Sequence, residues 1–141
     1  MTEAFILSLA MVAGAPEAAI TRTLDHHSGP LTAEYRGTLL IEETQIGTVA
    51  PPGRPSTLRC SWTAHLNVDR TAMGAEGIVA SRTFTRSNIA QGSRPGWCRG
   101  QSDARTSVAD RVDHTAHLAA AADEDEASLA AELDRIVQSR G

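Results

Sequence analysis

Residues 58–69 read LRCSWTAHLNVD, with Leu58, Cys60, Trp62, Ala64, Leu66 and Val68 alternating against Arg59, Ser61, Thr63, His65, Asn67 and Asp69. Successive side chains of a strand point to opposite faces, so apolar residues at period two describe a long strand with one face buried and one wet. The alternation recurs upstream, where Leu31, Ala33, Tyr35, Gly37, Leu39 and Ile41 oppose Thr32, Glu34, Arg36, Thr38, Leu40 and Glu42. Gly37 is the expected point of a bend or bulge in this second strand. A weaker run, Ala19 to Leu24, precedes the Ser28-Gly29-Pro30 turn and is expected to pair with it. Gly77 to Arg86 supplies another strand, returning across residues 71–76.

Two segments interrupt this pattern. Val49 to Ser56 is too rich in proline for a helix or a central strand. Its Pro52-Gly53-Arg54-Pro55 matches a polyproline recognition spacing only formally and reads as a stiff loop. Ser87 to Ser102 reads as a long glycine-bearing loop pinned near its end by Cys98.

From Asp103 the period changes. Val108, Val112, Thr115, Ala119, Ala122, Glu126, Leu129, Leu133 and Ile136 recur at spacings of four and three, a helical stripe interrupted at Thr115 and Glu126. Asp123 followed by Glu126 has the form of a capping box and favours a division into two helices there. The expected fold is α+β: an antiparallel β-meander of about four strands, with a C-terminal helix or helical hairpin packed on it. In domain terms the chain divides into a signal segment (1–15), a sheet with a disulfide (16–102) and a helical segment of the same domain (103–141).

The signal reading rests on Phe5 to Ala15, FILSLAMVAGA. As a helix it rises about 16 Å, half a bilayer core, so it is too short to span a membrane and fits an export signal. The leading Met1-Thr2-Glu3 lacks the usual positive charge, and Pro16 follows the small-residue site Ala13-Gly14-Ala15. The alternative is an amphipathic first element docked on the domain. Cys60 and Cys98 are the two cysteines, without CxxC spacing. In an exported protein they most simply form one disulfide, contributing about 3–4 kcal/mol; in a reducing compartment they would be two buried thiols. Export places the protein in the periplasm or outside the cell.

The chain has 141 residues, 41 % of them hydrophobic but only 4 % aromatic, and a net charge of −4. All 13 basic residues are arginine, a planar fork suited to carboxylate and phosphate. Residues 1–102 carry nine Arg against eight acids, and residues 103–141 four against nine. Such a distribution argues against nucleic-acid binding. There is no GxSxG elbow, P-loop, GxGxxG or HExxH.

His114 and His117, with Asp110, lie on one helical face and form a weak metal-site candidate. His26-His27 reads as a solvated turn tip. The acidic run Asp123 to Glu126 reads as a solvated helical turn, since consecutive helical residues point apart. One constellation remains as a candidate binding patch. Arg59 and Arg99 adjoin Cys60 and Cys98, Arg54 and Arg94 lie a few residues away, and Trp97 abuts Cys98. A disulfide would gather these residues, and Arg and Trp are the types most enriched in binding hot spots. The function expected is non-enzymatic binding of an anionic envelope component or protein, without cofactor. The alternatives are a metal-dependent or hydrolytic enzyme using the His114/His117 pair, and a structural oligomer built through the C-terminal helix.

Overall fold

A computed structural model describes residues 17–100, 104 and 108–140. The signal segment expected over residues 1–15 lies outside the described residues. The chain runs through β1 (Glu17–His26), β2 (Gly29–Ile46), β3 (Arg59–Met73) and β4 (Val79–Pro95), then α1 (His114–Arg140). The strands form one antiparallel sheet in the order β1-β2-β3-β4, with α1 packed on one face, an α+β fold.

Alternation sets which face is covered. Leu31, Ala33, Tyr35, Leu39 and Ile41 of β2 and Cys60, Trp62, Ala64, Leu66 and Val68 of β3 are all buried. They meet the helical part in two clusters. Leu118, Ala121, Ala122, Leu129 and Leu133 of α1 cover Leu31, Ala33, Tyr35, Leu66 and Val68. Val108 and Val112, which precede α1, cover Leu39, Ile41, Trp62 and Ala64. The opposite face of the sheet is covered by no element among the described residues.

Three expectations are corrected. First, β4 does not end near Arg86 but runs to Pro95, so most of the expected loop is strand. The register explains why: Leu66 pairs with Arg86 but Ala64 with Ala90, so β4 carries two extra residues and its alternation breaks there. Asn88 occupies this irregularity with φ 55° and donates its N–H to His65 Nδ1 at 3.1 Å. Second, Gly37 keeps regular register with Val68. Its missing side chain serves contact instead, since a Cβ there would lie 3.0 Å from Leu66 Cδ1 and 3.3 Å from Leu118 Cδ1.

Third, α1 is one helix, unbroken at Asp123. Its cap is Asp113, whose Oδ1 accepts from the Ala116 N–H at 3.0 Å. Within the acidic run the sequence suggested was solvated, Asp125 is 2 % exposed. It accepts from Arg70 Nε at 2.8 Å, Tyr35 Oη at 2.9 Å and Arg82 Nη1 at 2.7 Å. Arg70, itself 1 % exposed, also donates to Glu132 at 2.9 Å. A buried charge is tolerated only when paired and hydrogen-bonded, and here an aspartate from the helix answers an arginine from the centre of the sheet.

Candidate functional site

Where the sheet runs beyond α1, Cys60 and Cys98 are joined, with Cα atoms 5.0 Å apart and a separation of 38 in sequence. The segment that carries Cys98 is held a second way. Gln45 donates to the carbonyls of Arg59 (2.9 Å) and Gly96 (3.1 Å), and accepts from the Cys98 N–H at 2.6 Å. Trp97 sits between these anchors and is 63 % exposed. A large aromatic side chain on an immobilised backbone is presented to solvent at low entropic cost for binding.

Neighbouring strands continue this surface. Ile46, Arg59 and Pro95 pair across β2, β3 and β4, so all three lie on the uncovered face. Ile46 and Val49 are exposed apolar residues at this end. Beside the row runs a groove of about 440 Å³ lined by Ile46, Ser61, Thr63, Gln91 and Ser93, together with Trp62 and Gly92 of the strands beneath. On the covered face Gly92 makes room for Trp62, because a Cβ would fall 2.6 Å from the indole.

The arginines of the expected patch separate. Arg59 is exposed on the open face, its guanidinium on Ser93 Oγ at 3.0 Å. Arg54 and Arg99 are exposed on loops that leave the same end of the sheet. None of these three forms an ion pair among the described residues. Arg94, in contrast, pairs with Cys60 in register, faces inward, and binds Glu43 Oε2 at 3.0 Å. That carboxylate also lies 2.9 Å from Cys60 Sγ, so Arg94 belongs to the packing around the disulfide. The structure thus adds Ile46, Val49 and Pro95 to the exposed set. Ile46 and Pro95 were missed because their place on the open face depends on where β2 and β4 end.

The metal candidates do not converge. His114 and His117 lie on α1 and Asp110 in the turn before it, and none belongs to a group of donors at ligand spacing among the described residues. Among those residues no helix is long and apolar enough to cross a membrane. Comparison with known proteins finds no matching family model, no matching curated protein and no matching solved structure.

Proposed function

We propose that this is a small exported protein that acts by binding, without catalysis, through the disulfide end of its uncovered sheet face. The partner carries carboxylate or phosphate groups, as an anionic envelope polymer or an acidic protein surface does. The observation that carries this reading is the contrast among the arginines. Under α1, Arg22, Arg70, Arg82 and Arg86 each meet a helix carboxylate, whereas Arg54, Arg59 and Arg99 meet none among the described residues. Unpaired guanidinium groups beside an exposed, anchored Trp97 supply both parts of a hot spot, a bidentate anion fork and an aromatic anchor. The disulfide is compatible with export, since such bonds persist in oxidising compartments.

The test is retention of the untagged protein on a phosphocellulose matrix across a salt gradient. Arg59→Glu/Arg99→Glu is expected to elute at clearly lower salt than the natural chain. Arg36→Glu reverses one charge on the same face, half the change of the double variant, at a place where Arg36 already pairs with Glu34 at 2.6 Å, and is expected to shift elution by clearly less than half as much. Co-elution of all three proteins, or failure of the natural chain to bind even at low salt, refutes the assignment.

A further inference from the structure

The β1–β2 hairpin ends in His26-His27-Ser28, and its tip meets the last turns of α1 at Asp134. His26 closes β1 opposite Gly29, and the turn begins at His27, so strand alternation no longer sends the two rings to opposite faces. Their centroids lie 3.9 Å apart at 62°. His26 Nε2 is 2.8 Å from Asp134 Oδ1, and His27 Nε2 is 3.7 Å from the same oxygen. All three donor atoms fall within 4.8 Å of one another. The solvated tip expected from the sequence is therefore half wrong: the His26 side chain is 7 % exposed, and only His27 is open, at 64 %.

We infer that His26, His27 and Asp134 form a binding site for a first-row divalent metal ion of the zinc class. Four donors placed tetrahedrally at 2.0–2.1 Å from zinc stand roughly 3.3 Å apart, and the two separations to Asp134 bracket that spacing. Two imidazoles and one carboxylate suit zinc, cobalt or nickel, whereas calcium and magnesium demand oxygen ligands throughout. His26 Nδ1 accepts from the Ser28 N–H at 3.2 Å and lies 2.7 Å from Ser28 Oγ, contacts that fix the ring with Nε2 toward Asp134, where a bound ion would replace the Nε2 proton. Asp134 is 52 % exposed like its neighbour His27, so the ion keeps a solvent-facing position, the coordination of exchangeable or catalytic zinc rather than of a closed structural centre. Bound there, the ion ties the hairpin tip to α1 across 108 positions of sequence.

Titration of the untagged protein with zinc alone, followed by calorimetry, tests the site. One equivalent is expected to bind, with affinity at least tenfold lower in His27→Ala and in Asp134→Asn, and unchanged in His114→Ala/His117→Ala. Both altered side chains are more than half exposed, so these variants fold, and their melting temperature without metal verifies it. Zinc is expected to raise the melting temperature of the natural chain and not of either variant, while magnesium and calcium raise none. Absence of zinc binding at micromolar concentration overturns the assignment. So does natural-strength binding in either His27→Ala or Asp134→Asn.

Discussion

At the end of the sheet that α1 crosses, arginines are answered by helix acids; at the disulfide end the chain is held by a covalent bond, Arg94 turns inward to Glu43, and Arg54, Arg59 and Arg99 stay outward. Asp123 pairs with Arg22, Glu124 with Arg86, Asp125 with Arg70 and Arg82, and Glu132 with Arg70. The acidic C-terminal segment is therefore the counter-charge of the sheet beneath it. Its reach stops at the N-terminal end of α1, and beyond that limit Gln45 and the Cys60–Cys98 bond order the chain instead. At that end only Arg94 is drawn into the packing among the described residues, and Arg54, Arg59 and Arg99 are left for something outside the molecule.

The two ends differ most at Asp125. Asp125→Ala leaves the fully buried Arg70 with Glu132 alone and the Tyr35 hydroxyl without its acceptor, and should cost about 3–5 kcal/mol in denaturant unfolding. Arg70→Met with Asp125→Leu should recover most of that loss, because the desolvation penalty goes with the charges. A loss under about 1 kcal/mol for Asp125→Ala would mean that water or a neighbour already solvates Arg70. At the other end, Cys60→Ser/Cys98→Ser should cost about 2–4 kcal/mol. The same double variant should elute earlier from phosphocellulose, since Trp97 and Arg99 would then depend on Gln45 alone. Unaltered stability on reduction would show that the hydrogen bonds of Gln45 suffice.

Which parts could be read from the sequence follows from the range of the interactions behind them. The alternation of β2 and β3 is local and complete, because each strand packs one face against the helical layer, and it identified both strands and the inner core. The second half of β4 was invisible because its inward positions hold Ala90, Gly92 and Arg94, small or charged residues in place of the large apolar ones that mark a strand. Asp125 reads as solvated because Arg70, the partner that lets it be buried, lies 55 positions away. Likewise the turn at Ser28-Gly29-Pro30 is plain in the sequence, but nothing near it announces Asp134. The stripe itself misled at Glu126, which is exposed while its neighbour Asp125 turns inward. At the disulfide end, Arg59 adjoins Cys60 and Arg94 lies four positions before Cys98, yet the two face opposite sides of the sheet, a distinction that only strand register makes.

Alkaline pH separates the two ends by a smaller effect. Burial above all, then the hydrogen bond to Asp125 and its negative charge, hold the Tyr35 phenol well above its ordinary value near 10. Below that ordinary value the phenol is neutral in both folded and unfolded chains, and its contribution is fully present. Above it the unfolded chain ionises while the folded chain does not, so stability should fall as pH rises beyond about 10. The chain has one Tyr and no Lys, and its cysteines are bonded, so little else titrates in that window. Tyr35→Phe should flatten the decline in a pH series of unfolding midpoints, and an unchanged slope would relocate it to another group.

The smallest effect is expected where the arginines have no internal partner. Arg59→Gln with Arg99→Gln removes two positive charges but strands no carboxylate, because neither residue pairs with an acid among the described residues. Only the bond from Arg59 to Ser93 Oγ is lost, and both partners are open to water, so stability should stay within about half a kcal/mol. Arg22→Gln with Arg86→Gln removes the same charge under α1 and leaves Asp123 and Glu124 unanswered in an acidic run. Those pairs are partly exposed, so the cost is modest, up to about 1 kcal/mol for each, and it should shrink as salt rises. Retention on phosphocellulose should reverse the ranking: the Arg59/Arg99 variant loses it and the Arg22/Arg86 variant keeps most of it. Equal costs in unfolding together with equal losses in retention would erase the distinction between the two ends. Arginine would then act at both as surface charge, without the division between internal pairing and outward binding.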